Sequence, residues 1–125
     1  MVVKLLLTFY LWVALVAVTL LGLAVLPFLL LSLQLTRGLG LEAGMRRCIR
    51  LYGWVLVCLA PWMGPVRVDY RGGEIPVPAV LVANHNSALD PYLFGAIEVE
   101  NGFVTSWPFR IPVYSGFMRL AGYAN

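Results

Sequence analysis

Between Leu5 and Thr36 the chain carries no charged side chain, and that run constrains the fold more than any other feature. A helix needs roughly 20 apolar residues to cross the hydrocarbon core of a bilayer, and this stretch is longer. Composition agrees: 61% of the residues are hydrophobic, only 12% are charged, and the mean hydropathy is +0.84, values typical of membrane proteins. A cleaved signal peptide is the competing reading. Its apolar region is typically about 7–15 residues and closes on a small-x-small site; this run is far longer and has no such closure. Residues 1–36 are therefore read as a retained transmembrane anchor. Pro27 lacks an amide hydrogen and crowds the preceding turn, so it can end or kink the helix and bring the spanning part nearer to residues 5–26.

Only Lys4 precedes the charge-free run, whereas Arg37, Arg46, Arg47 and Arg50 come closely after it. The positive-inside rule then places the chain beyond the anchor, including residues 66–125, in the cytoplasm. Much of the net charge of +3 sits in this arginine cluster, which reads as contact with anionic lipid headgroups and not as a nucleic-acid site. Residues 51–66, "LYGWVLVCLAPWMGPV", are again charge-free. They are short for a span and carry Tyr52, Trp54 and Trp62, residue types that favour the interface. Residues 37–65 are read as a basic turn and an interfacial or re-entrant helix. Cys48 and Cys58 have no partner Cys or His at metal spacing and read as small hydrophobes, so neither a disulfide framework nor a metal site is expected.

The texture changes after Val66. "VRVDY" alternates like a half-buried strand, "RGGEIPVP" is turn material, and "AVLVA" is an apolar run of buried-strand type. "DPYLFGAIEV" reads as a helix, "GFVTSW" as a further strand, and "IPVYSGFMRLAG" as a second helix closed by Gly122. Alternation of this kind predicts an α/β class with a parallel component over residues 66–125.

The only histidine, His85, falls in this region, five residues before Asp90. Five extended residues would hold the two side chains roughly 17 Å apart, and continuous helix would point them to different faces; only a turn between them permits contact. Pro91 suits the first helical position and biases Asp90 toward the cap. A carboxylate has about four acceptor sites, so Asp90 can cap a helix and also accept an imidazole N–H. A neutral imidazole so paired is a general base near neutral pH, with the carboxylate fixing its tautomer. Ser87 and Asp90 equally match the capping box S-x-x-D, in which both merely start a helix and His85 is a turn residue. Spacing alone does not separate these readings.

The stretch "NHNSALD" resembles the NHxSxxD block of the glycerolipid acyltransferases, the family that includes lysophosphatidate acyltransferase; Asn84, His85, Ser87 and Asp90 stand at its places. Downstream, "FRIPVYSGFMRLAGY" is similar to the family's connection between its first two motif blocks, and the apolar N-terminus fits its layout. The resemblance implies that His85 is the general base removing a proton from a glycerolipid hydroxyl, with Asp90 its partner. It implies an acyl thioester of coenzyme A or acyl carrier protein as co-substrate, a lysophospholipid as acceptor, and no bound cofactor. Asn84 and Ser87 would set the turn on the substrate side, with Ser87 not a nucleophile, and Arg110 is a candidate phosphate contact. Where the family commonly has a lysine, this chain has Ser106, Trp107 and Pro108. Nothing up to "LAGYAN" matches the family's later arginine-bearing and E-G-T-R-S-type blocks, so the expectation is the N-terminal portion of such an enzyme, with the acyltransferase domain incomplete. The alternative is a non-catalytic membrane protein that binds lipid or a partner and keeps the motif only as a helix cap. A Ser87 hydrolase is disfavoured, because no glycine-x-serine-x-glycine elbow surrounds the serine.

Overall fold

The computed structural model describes residues 2–59, 67–84, 90–97, 99–102, 104, 106 and 108–124. Helix accounts for 67% of them. Among the described residues four α-helices succeed one another: α1 (Val2–Arg37), α2 (Leu41–Trp54), α3 (Asp90–Leu93) and α4 (Tyr114–Leu120). A π-helical turn (Val55–Leu59) extends α2, a 3₁₀ turn (Phe94–Ala96) extends α3, and another (Pro108–Arg110) precedes α4. The chain forms two compact units: Met1–Ile49 with Gly102–Asn125, and Arg50–Asn101.

The α/β expectation is overturned, because there is no strand or sheet among the described residues. A single parallel bridge, Val104 to Ala124, is the one β-type pairing found among them. Residues 67–70 and 79–83 have no regular structure, and Val80 and Val82 are 91% and 93% exposed. Alternation and apolar runs express what a strand would bury. A strand also needs a second segment to take its backbone hydrogen bonds, which a local pattern does not supply.

The first unit is built on α1, which has 36 residues and no buried side chain. At about 1.5 Å per residue it is roughly 54 Å long. Its threonines are satisfied within the helix: the Thr8, Thr19 and Thr36 hydroxyls donate to the carbonyls of Lys4, Leu15 and Ser32 at 2.8, 2.7 and 2.6 Å. The helix runs through Pro27. A proline inside a helix costs about 3 kcal/mol, and packing on either side of it offsets this: Leu26 and Leu30 lie against a core of Met45, Met118, Ala121 and Tyr123. Gly38, at φ 61°, ends α1, its N–H donating to the Gln34 carbonyl at 3.0 Å. α2 begins at once, and Gly44 lets it approach α1 closely, since a Cβ there would lie 3.2 Å from a Leu30 methyl.

α4 starts later than its sequence pattern suggests. Val113 adopts φ 69°, ψ −51°, and the Tyr114 N–H donates to the Pro112 carbonyl at 2.7 Å; this is a γ-turn of the positive-φ kind, strained for a β-branched residue. The end of α4 agrees with the sequence. Gly122 takes φ 71°, its N–H donates to the Arg119 carbonyl, and the Tyr123 N–H donates to that of Met118, each at 3.0 Å. That is a Schellman cap, completed by burial of Tyr123 and Met118 in one cluster.

The second unit joins the end of α2 to α3 and its 3₁₀ turn at a pair of glycines. A Cβ on Gly95 would strike the Trp54 amide nitrogen and lie 2.6 Å from the Gly53 carbonyl carbon and 2.8 Å from the Arg50 oxygen. One on Gly53 would lie 3.1 Å from the Tyr92 oxygen. Backbone therefore packs on backbone, which only residues without a Cβ allow. Beside the crossing, the Tyr52 and Tyr92 rings meet edge to face, with centroids 6.0 Å apart. The helix expected over 90–99 gives way to the 3₁₀ turn, and Ile97 is extended. Its carbonyl is taken by Arg50, which donates through Nε at 2.9 Å and Nη2 at 2.6 Å.

Candidate functional site

Asn84 closes the irregular stretch 67–84 and is exposed. Asp90, half-buried, opens α3 as the sequence suggests. His85 and Ser87 lie outside the described residues, and so does the contact expected between His85 and Asp90. Helix α3 has four residues, too few for its aligned peptide dipoles to contribute much to holding a carboxylate ionised. What fixes Asp90 is the docking of its helix on the end of α2: the Gly53–Gly95 crossing, the tyrosine pair and the Arg50 fork. Asn101 secures the far end of this element, its Nδ2 donating to the carbonyls of Phe94 and Val99, both at 3.1 Å.

Arg110 belongs to the other unit, where it ends the 3₁₀ turn Pro108–Arg110 and is exposed. No group of three or more His, Cys, Asp or Glu that could hold a metal occurs among the described residues. Cys48 is a free, buried thiol, and burial pushes its pKa up, so it stays protonated and poorly nucleophilic at neutral pH.

Two of the arginines that the sequence groups as headgroup contacts have structural work instead. Arg46 donates through Nη1 to the Ala121 carbonyl at 3.0 Å, at the C-terminal end of α4, and lies 3.9 Å from the Glu42 carboxylate one helical turn earlier. This places a cation where the carbonyl end of a helix favours one. Arg50 holds the Ile97 carbonyl. Arg37 and Arg47 are exposed. Sequence reasoning misses the roles of Arg46, Arg50, Gly53 and Gly95. A signal is present for the glycines, since a glycine inside an apolar helical run costs about 1 kcal/mol against alanine and calls for a packing reason.

No family model, curated protein or solved structure matches the chain. Among the described residues one helix, α1, is long and apolar enough to cross a membrane, or to serve as a signal sequence, and none of it is buried.

Proposed function

We propose that this chain is the membrane-bound part of a glycerolipid acyltransferase, moving an acyl group from a coenzyme A or acyl-carrier-protein thioester to the hydroxyl of a lysophosphatidate-like lipid. The observation that carries the reading is the run Asn84-His85-Asn86-Ser87-Ala88-Leu89-Asp90 leading into a helix that opens at Asp90. His85 accepts the hydroxyl proton as the lipid oxygen attacks the thioester carbonyl. The carbon–sulfur bond then breaks, and the imidazolium returns its proton to the departing thiolate, leaving ester and free thiol. Asp90 fixes the imidazole tautomer and stabilises its cation. Anchoring by α1 delivers the site to a substrate that resides in the bilayer, with residues 66–125 on the cytoplasmic side by the arginine asymmetry.

A second reading is favoured by the exposure of residues 79–84, which lead into the motif without a sheet behind them. In it the motif is a helix start and the chain a non-catalytic lipid- or partner-binding membrane protein. The two are separated by measuring thiol release from an acyl-coenzyme A with lysophosphatidate as acceptor, using the full chain in native membranes. Turnover reduced about 10²- to 10⁴-fold by His85→Ala, and also lowered by Asp90→Asn, is the expected result. Turnover that is absent, or indifferent to His85→Ala, selects the second reading.

A further inference from the structure

Of the nine basic residues, Lys4, Arg37, Arg46, Arg47, Arg50, Arg110 and Arg119 sit in helices or a 3₁₀ turn, and Arg67 and Arg71 do not. Both fall in residues 67–84, which hold neither helix nor strand and are exposed at every position but Ile75. An endopeptidase binds several residues of its substrate in extended form. It therefore cuts folded chains at exposed irregular segments with small residues and spares helices, whose bonds must first unfold. Arg71 meets these requirements. Its side chain is 90% exposed, and its Nε lies 3.2 Å from the Asp69 carboxylate, itself well exposed, a surface pair that a protease's own carboxylate can displace. Gly72 and Gly73 follow, where a Cβ would meet nothing within 4 Å and Gly73 takes φ 88°; backbone without side chains or close neighbours straightens readily into a cleft. Arg67, by contrast, is followed by the β-branched Val68.

Contacts in both units join residues before this segment to residues after it. In the first unit Leu26, Leu30 and Met45 pack with Met118, Ala121 and Tyr123, and Arg46 donates to the Ala121 carbonyl. In the second, Gly53 crosses Gly95, Tyr52 meets Tyr92, and Arg50 holds the Ile97 carbonyl. A cut after Arg71 breaks covalent continuity and leaves both sets of contacts in place.

We propose that the Arg71–Gly72 bond is a processing site for an arginine-specific endopeptidase, and that the cut yields a two-chain protein whose halves, 1–71 and 72–125, stay assembled. Water is the co-reactant: the Arg71 carbonyl carbon loses its bond to the Gly72 nitrogen and gains the water oxygen, leaving a carboxylate on Arg71 and an ammonium group on Gly72. The half that bears Asp90 then remains with α1 without being covalently joined to it. This rests neither on the acyltransferase reading nor on α1 spanning a membrane.

The test digests the full chain briefly with trypsin in mild detergent, identifies the products by intact mass, and passes them through a sizing column in the same detergent. Fragments 1–71 and 72–125 should appear first, about tenfold or more ahead of any cut within a helix, and should elute together at the position of the intact chain. Arg71→Gln should slow that cut by about a hundredfold or more, since the protease pocket loses its cationic partner. Gly72→Pro, which keeps the arginine but places a ring on the leaving nitrogen, should block it as well. Gly95→Ala combined with Met118→Asp, which strikes both sets of contacts, should let 72–125 elute apart once cut. A first cut after Arg67 or inside a helix, or a chain that trypsin leaves whole, overturns the site. Halves of the parent that elute apart, or co-elution that survives the double substitution, overturn the two-chain assembly. No readout involves turnover, so failure here and failure of the acyltransferase reading are distinct results.

Discussion

Replacing Gly95 by alanine adds one methyl group where the structure has none to spare. Its three nearest neighbours, the Trp54 nitrogen, the Gly53 carbonyl carbon and the Arg50 oxygen, are all main-chain atoms of one helical turn. No flexible side chain can swing away, so the 3₁₀ turn must lift off α2. Overpacking in a well-fitted contact costs about 1–3 kcal/mol, and an immovable backbone belongs at the upper end. Displacement also stretches the two hydrogen bonds from Arg50 to Ile97. A loss of about 3 kcal/mol is expected for the second unit, which raises local opening roughly a hundredfold. Hydrogen–deuterium exchange of the chain in detergent, monitored in peptides covering residues 50–54 and 94–97, reads this directly. Gly116→Ala is the matched control: the residue lies within α4, and a Cβ there meets nothing within 4 Å. Its expected effect has the opposite sign, a gain of about 0.5–1 kcal/mol from helix propensity. Unchanged protection in Gly95→Ala, or equal losses in both variants, would refute the idea that the glycine pair is what lets α3 dock.

Arg50→Ala should cost about 1.5–3 kcal/mol, the range for charge-assisted hydrogen bonds, and expose the 94–97 amides to exchange; Arg50→Lys should recover only part, because a point charge cannot reproduce the fork. Val113→Gly should stabilise the first unit by up to about 1 kcal/mol in thermal unfolding, since relief of roughly 1–2 kcal/mol of positive-φ strain exceeds the added entropy cost of glycine. For Cys48 the folded pKa is raised by burial, so its contribution to stability is constant below the ordinary thiol value of about 8.5 and declines as pH rises past it, because the unfolded chain ionises first; unfolding midpoints compared between the parent and Cys48→Ala on either side of that pH check the sign. Leu20→Arg, on the exposed surface of α1, should weaken membrane integration by about 2.5–3.5 kcal/mol, read as a larger fraction released by alkaline carbonate; no change would count against the span.

Some of this molecule is legible without coordinates, and the reason is locality. α1 arises from the absence of charge between Leu5 and Thr36, since a helix satisfies its own backbone from within the segment. Gly122 ends α4 because a left-handed cap is a property of one residue and its near neighbours, and Pro91 marks the start of α3 for the same reason. Strands are different. The alternation of "VRVDY" and the apolar run "AVLVA" have the right residues, yet neither forms a strand in its described residues, because ladder hydrogen bonds come from elsewhere in the chain. Only the tertiary structure decides that Arg46 and Arg50 serve the carbonyls of Ala121 and Ile97, 75 and 47 residues away. The same holds for the meeting of Gly53 and Gly95 as bare backbone. An arginine on an amphipathic helix has the same local sequence whether it faces lipid phosphate or a peptide oxygen, and what packs opposite determines which.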